Sequence, residues 1–184
     1  ERLLNLTNQL LDFRKTENKG FKLNPVECSV GSIIRSVYKR FTTLVNQKGI
    51  ELKVEIPEEE LLASVDKEAL TKILSNLFTN ALKYAQTYAY LSLSVDEAGK
   101  EFTIVMSNDG KIIPIEMREN IFRPFVQYRD GKDIVPGTGI GLALARSLAE
   151  LHQGTLTMDQ DMECNRFILS IPIRHQTASD VLEE

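Results

Sequence analysis

The period of the apolar positions changes along this chain. Leu3, Leu6, Leu10 and Phe13, flanked by Leu4 and Leu11, follow the spacing of a heptad seam and predict a helix over residues 1–19. Such a seam needs a cover, either a second helix of the same kind or the chain's own domain. After Gly20, a short stretch from Phe21 to Val26 leads into a predicted helix from Ser29 to Lys48. There Ile33, Ile34, Val37, Phe41, Leu44 and Val45 form one stripe and Gly49 stands at the stop position. Ile50, Leu52, Val54 and Ile56 then alternate with charged residues, as in a half-buried strand, and Pro57 ends the run. Leu61 to Val65 reads as a shorter strand. Asp66 is placed to cap a helix running to about Ala85, with Leu70, Ile73, Leu74, Leu77 and Ala81 inside.

Alternation returns in Thr87–Val95 and Glu101–Ser107, and the intervening Asp96-Glu97-Ala98-Gly99-Lys100 predicts a hairpin turn. Pro114 to Phe125 reads as a short helix, whereas Arg123 to Pro136 has no periodicity; a loop of that length in a compact domain is usually functional or disordered. Gly139 to His152 is an Ala/Leu-rich helix stopped by Gly154, and Thr155–Met158 with Arg166–Ile173 predicts a last hairpin. Arg174–Glu184 has the composition of a linker. Hairpins mixed with helices imply an α/β fold: a two-layer sandwich, its sheet mixed but mostly antiparallel, helices on one face, plus the N-terminal helix. The expected division is residues 1–19, a domain over 20–173, and a tail over 174–184.

Composition narrows the function classes. A length of 184 residues with 42% hydrophobic content suits one domain and an appendage. No apolar run approaches the roughly 20 residues of a membrane-spanning helix, and Glu1–Leu11 does not read as a signal peptide. A formal charge of −4 without Lys/Arg runs argues against a nucleic-acid surface. Cys28 and Cys164 lack partners at metal-ligand spacing, and only His152 and His175 are available for histidine chemistry.

Three segments carry candidate chemistry. Gly137-Thr138-Gly139-Ile140-Gly141-Leu142 sets three glycines directly before a helix, where backbone N–H groups attract phosphate; a hinge with tight helix packing is the other reading. It is not a P-loop, because no Gly-Lys pair is followed by Ser or Thr, and its spacing is not that of a dinucleotide fingerprint. Asn76, Asn80 and Lys83 fall on one face of the Asp66–Ala85 helix. Amide carbonyls there can help ligate Mg²⁺ that already carries nucleotide phosphates, or can simply line a solvated face. Finally, Ser107-Asn108-Asp109-Gly110-Lys111-Ile112-Ile113-Pro114 takes a strand end into a turn, where a polar side chain could read a base edge.

In order, Asn76-Leu77-Phe78-Thr79-Asn80-Ala81-Leu82-Lys83-Tyr84, Asn108-Asp109-Gly110, Phe122-Arg123-Pro124-Phe125 and Gly137 to Leu144 resemble the N, G1, F and G2 boxes of sensor histidine kinases. Their catalytic ATP-binding domain shares a superfamily with DNA gyrase and MutL-type ATPases. The resemblance covers about residues 20–173. Asn5 to Lys15 also resembles the end of the second dimerisation-domain helix, especially in hybrid kinases of Bacteroides-type bacteria.

The resemblance implies ATP and Mg²⁺ as ligands, with Asn80 on the metal, Asn76 assisting, Lys83 on phosphate and Tyr84 beside the adenine or ribose. It places Asn108, Asp109, Gly110 and Ile113 around the base. Phe122 and Phe125 would anchor a lid from which Arg129 or Lys132 could reach the γ-phosphate; no motif fixes which. Gly137, Gly139 and Gly141 would line the phosphates, with Thr138, Ile140 and Leu142 in the same segment. Implied partners are the kinase's own dimerisation domain, whose phosphoacceptor histidine is absent here, and a response-regulator receiver domain; neither nucleic acid nor membrane contact is expected. The implied location is the cytoplasmic part of a membrane-anchored bacterial sensor kinase.

Two departures matter. The family's usual D-x-G-x-G places Asn108 where an aspartate accepts the adenine amino proton, and Ile112 where a glycine stands. The Asn108 carbonyl is expected to accept that proton more weakly than a carboxylate would. Asp109 could substitute only through a one-residue slip of the strand end. Hydrolysing relatives carry a water-activating glutamate where this chain has Asn76, which cannot act as a base. Transfer to another nucleophile is therefore expected; the alternatives are a gyrase-like hydrolase and a degenerate docking module.

Overall fold

The computed structural model describes residues 2–17, 22–128, 137–159 and 163–174, with side chains of the first helix described over 7–16. The tail beyond 174 and the expected lid cations Arg129 and Lys132 lie outside the described residues.

Among the described residues, seven strands and five α-helices follow one another as α1 (Arg2–Glu17), β1 (Val26–Ser29), α2 (Val30–Lys48), β2 (Glu51–Glu55), β3 (Leu62–Val65), α3 (Lys67–Tyr84), β4 (Tyr88–Val95), β5 (Glu101–Asn108), α4 (Ile115–Arg118), α5 (Gly141–Leu151), β6 (Thr155–Met158) and β7 (Asn165–Pro172). A five-stranded sheet has the order β2-β4-β5-β7-β6, and β1 with β3 forms a separate two-stranded sheet. Every pairing in the larger sheet is antiparallel except β2 with β4. That parallel pair needs a long crossover, and β3 and α3 supply it. β2 forms one edge, where Glu51, Lys53 and Glu55 put charge on the exposed positions, a pattern that discourages edge pairing.

Burial follows the alternation. Ala89, Leu91 and Leu93 of β4, Phe102, Ile104 and Met106 of β5, and Phe167, Leu169 and Ile171 of β7 all enter the core. Against them pack the stripes of α2, α3 and α5: Ile33, Ile34 and Val37; Leu70, Ile73, Leu74, Leu77 and Phe78; Leu144 and Leu148. Phe41 stacks on Phe78 at 5.4 Å between ring centroids, joining α2 to α3. Each fully buried side chain of this size contributes about 1.5–3 kcal/mol relative to exposure.

The expected α/β sandwich is the observed fold. Two local readings are corrected: residues 26–29 form a strand, where only a lead-in was expected, and the last strand begins at Asn165, one residue earlier than expected. β1 and β3 have no periodic signal long enough to fix pairing, because each has four residues.

The first helix packs on the chain's own domain. Phe13 is buried in the common core, Asp12 pairs with Lys72 at 2.9 Å, and Thr138 Oγ1 donates to Gln9 Oε1 at 3.0 Å. Leu10 and Leu11 of the heptad reading remain exposed. Side chains at Leu3, Leu4 and Leu6 lie outside the described residues.

Asp66 caps α3 as expected, its Oδ1 accepting from Glu68 N and Ala69 N at 3.0 Å. The imidazole of His152, fully buried, accepts the Asp66 N–H on Nε2 at 3.1 Å, while Nδ1 lies 2.7 Å from Leu148 O. This histidine therefore joins the start of α3 to the end of α5 and fixes the two helices that flank the candidate site.

Candidate nucleotide site

α3 and α5 converge at the chain's glycine segment. α5 starts without a side-chain cap, so its leading N–H groups form an anion-attracting end. Gly139 has φ of +71°, and a Cβ there would lie 2.8 Å from the Phe125 carbonyl carbon, so the turn into α5 requires glycine. Ile140 is fully buried, and its N–H donates to Thr138 Oγ1 at 3.2 Å. Leu142 packs against the core.

One face of α3 meets this segment. Asn76 Oδ1 lies 2.8 Å from the position a Cβ on Gly141 would take, with its Nδ2 donating to Lys72 O at 3.0 Å. Lys83 Nζ lies 2.5 Å from the corresponding position on Gly137. It also donates to the Tyr84 hydroxyl at 2.8 Å and sits 4.5 Å from that ring's centroid. Asn80 lies between Asn76 and Lys83 on this helix; it is half-buried and its side chain makes no hydrogen bond among the described residues. The structure thus brings Asn76, Lys83, Gly137 and Gly141 together, with Tyr84 under the lysine.

The base-reading turn is built at the ends of β5 and β7. Alternation along β5 sends Phe102, Ile104, Met106 and Asn108 to the helix-covered face, and Asn108 is 1% exposed. The register pairs it with Asn165, so no slip of the strand end occurs. Asn108 Oδ1 accepts from Gly110 N at 3.0 Å. A Cβ on Gly110 would stand 2.4 Å from Tyr84 O, so only glycine fits where the turn crosses the end of α3.

Asn165, which the sequence reading missed, organises the turn. Buried at 1% exposure, it accepts from Ile113 N at 3.0 Å and donates to Gly110 O at 3.1 Å and Lys111 O at 2.9 Å. Ile113 packs against the core, and its carbonyl accepts from Arg118 Nε at 3.0 Å. The alternation Asn165-Phe167-Leu169-Ile171 carries the signal for Asn165, one residue before the strand start that the sequence predicts.

Two expected roles are corrected. Asp109 turns away to the α3–β4 connection, its carboxylate accepting from Gln86 N at 2.8 Å, from Thr87 N at 2.8 Å and from the Thr87 hydroxyl at 2.5 Å. Burial opposes its ionisation, but the Thr87 hydroxyl and the amides of Gln86, Tyr88 and Thr87 outweigh that and hold its carboxyl below the ordinary 3.8. A depressed folded-state value contributes stability above the unfolded value that is lost as pH falls through the folded one. Asp109→Asn is therefore expected to lower the melting midpoint at pH 7, and the gap to the parent should shrink as pH falls below about 4. A gap unchanged between pH 7 and pH 2.5 would contradict this.

The second correction concerns the lid aromatics. Phe122 is buried, meets Phe167 edge-on at 6.3 Å and lies under Arg146 at 4.9 Å, as an anchor should. Phe125 is 65% exposed and is not part of the hydrophobic core formed by the described residues. Its backbone makes the contact instead, through Phe125 N to Gly139 O at 2.9 Å, at a φ of 66°. For a bulky side chain that conformation stores about 1–3 kcal/mol.

Two helices meeting over a glycine segment, beside a buried polar turn on a mixed sheet, define a nucleotide-binding ATPase-type domain. The family model for histidine kinase-, DNA gyrase B- and HSP90-like ATPases matches residues 65–175. The chain belongs to that family and is homologous to the catalytic ATP-binding domains of sensor histidine kinases. It is 27% identical over 189 residues to histidine kinase P4 of Formosa agariphila, an alignment covering 99% of this chain and 14% of that protein. Among solved structures, full-length ShkA in complex with AMPPNP matches with a TM-score of 0.83 at 23% identity, over 96% of this chain and 37% of that one. The nucleotide-free catalytic domain of histidine kinase ThkA matches with a TM-score of 0.71 at 25% identity, over 83% of this chain and all of that one. The chain therefore spans a small part of its full-length relatives. Among the described residues, no helix is long and apolar enough to cross a membrane.

Proposed function

We propose that this chain holds Mg-ATP between α3 and α5 and presents the γ-phosphate to a histidine on a dimerisation domain, for onward transfer to a receiver-domain aspartate. It would do so as the cytoplasmic catalytic part of a sensor kinase. The observation that carries the reading is the approach of Asn76 Oδ1 and Lys83 Nζ to Gly141 and Gly137 at the uncapped start of α5.

The residues fit a Mg²⁺ that arrives with nucleotide. No group of three or more His, Cys, Asp or Glu able to hold a metal exists among the described residues, so a dedicated ion cage is not the basis of the proposal. Neutral amide oxygens suit a cation already neutralised by phosphates and waters. Asn80, whose amide makes no protein hydrogen bond among the described residues, would ligate it, and Asn76 would assist. When bound, Mg²⁺ would supply positive charge to offset that of the phosphates. Lys83 would balance phosphate charge from the α3 side, and the α5 N–H groups from the other. Tyr84 would support the base or ribose, and Asn108 would meet the base edge.

The hydrolase alternative needs a base beside the metal. Asn76 stands at that position, with its amide donating to Lys72 O, and it cannot take a proton. The chemistry left to the chain is positioning and charge stabilisation.

Thermal denaturation with nucleotide tests the binding claim. At 100 times Kd a ligand bound only by the native state adds about 2.7 kcal/mol, which in a domain of this size corresponds to a rise of about 5–11 °C. Mg-ATP and Mg-ADP should both give it. No rise with either at millimolar concentration would overturn the nucleotide reading in favour of a docking module.

A further inference from the structure

Asn108 is the residue at which this pocket departs from the aspartate pattern, and its hydrogen bonds determine what it offers a ligand. Its Oδ1 accepts the Gly110 N–H at 3.0 Å and lies 3.4 Å from Asn165 Nδ2. Neither donor can be exchanged for an acceptor. Gly110 contributes a backbone amide. Asn165 is held in orientation by Ile113 N on its oxygen and by Gly110 O and Lys111 O on its nitrogen. Rotating the Asn108 amide by half a turn would set its NH2 against the Gly110 N–H and the Asn165 NH2, donor against donor. The carbonyl oxygen is therefore committed to the turn.

The Nδ2 of Asn108 has no hydrogen-bond partner among the described residues, although the side chain is almost fully buried. A buried amide NH2 without an acceptor is costly, and such groups usually mark a place where something else binds. An aspartate here could give one oxygen to Gly110 N–H and keep the other to accept from an exocyclic amino group. Asparagine in the same position keeps only a donor. The geometry of the turn argues against the expectation that its carbonyl reads the adenine amino group.

We infer that this pocket does not select a 6-amino purine: Asn108 offers its NH2 to position 6 of the base, so that a 6-oxo purine nucleoside triphosphate binds at least as tightly as ATP. The oxygen at position 6 of hypoxanthine or guanine is an acceptor and pairs with that NH2. The amino group of adenine is a donor and leaves both groups unpaired. Sites built around a specific hydrogen bond discriminate strongly against the ligand lacking it, so reversing one donor and acceptor changes the ratio of affinities more than it changes the fold. The inference rests on the reading that a purine nucleotide enters beside Asn108.

Mg-ITP is the discriminating probe, since it lacks the 2-amino group that would confound a comparison with GTP. Calorimetric titration of the unaltered chain with Mg-ATP and Mg-ITP should give a Kd ratio, ITP over ATP, at or below one. Asn108→Asp, which restores an acceptor beside the same Gly110 N–H, should raise that ratio above ten. A ratio above one, beyond the error of the titration, in the unaltered chain overturns the inference even if the variant fails to fold, and so does a folded variant whose ratio does not move. Failure of the underlying reading would look different: neither nucleotide would bind the unaltered chain at all.

Discussion

Replacing Gly110 with alanine is expected to lower the melting midpoint by about 6–12 °C and to abolish measurable nucleotide binding. The added Cβ would stand 2.4 Å from Tyr84 O, 2.9 Å from Tyr84 C and 2.7 Å from Asn108 Oδ1. Two of those atoms are backbone at the C-terminal end of α3, so a rotamer change cannot relieve the clash. Overpacking of this kind costs about 1–3 kcal/mol, at the upper end where backbone must move, and a domain of this size loses about 2–4 °C per kcal/mol. Gly99→Ala is the control. Gly99 has φ of +67° but nothing within 4 Å of an added Cβ, so its cost is the left-handed conformation alone, about 1–2 kcal/mol. Equal midpoint losses in the two variants would mean that the turn does not depend on this close approach. Nucleotide affinity separates them further, because only Gly110→Ala displaces the backbone N–H that orients Asn108.

Asn80→Ala should have the opposite profile. The side chain is half-buried and makes no hydrogen bond among the described residues, so its loss should change the nucleotide-free stability by no more than about 0.5 kcal/mol. If it ligates Mg²⁺, affinity for Mg-ATP should fall by at least about 10- to 100-fold, the loss that even outer-shell partners of a metal produce. Titration without Mg²⁺, in chelator, should show little difference between variant and parent. A variant that binds Mg-ATP as the parent does would remove Asn80 from the metal site.

The elements most readable in the sequence were those whose signal is repeated within one segment. Asp66, the α3 stripe and the alternation through Met106 specify a capped helix and a half-covered strand, and the structure has both. The alternation also put Asn108, not Asp109, on the helix-covered face. What escaped reading depends on partners distant in sequence. Asn165 matters through its cross-strand position opposite Asn108, which register alone supplies. The parallel pairing of β2 with β4 depends on how α3 crosses the sheet, and no residue of β2 announces it. The resemblance gave Phe125 an anchoring role, whereas the structure uses its backbone N–H. The heptad reading of α1 captured Phe13 but not its cover, because an apolar stripe does not state which surface it meets.

The same separation applies to function. Asn76, Lys83 and the glycines could be placed on their elements from spacing, yet their convergence required the structure. The roles proposed for them are those of groups that hold and orient a nucleotide, and none is a base.

Transfer of label from γ-labelled Mg-ATP tests that account most directly. The chain is incubated alone, and then with a separately supplied histidine kinase dimerisation domain bearing its phosphoacceptor histidine. Acid-labile, base-stable label should appear on that histidine, with negligible release of inorganic phosphate by the chain alone. Steady multiple-turnover phosphate release by the chain alone, with no label on the histidine, would contradict it.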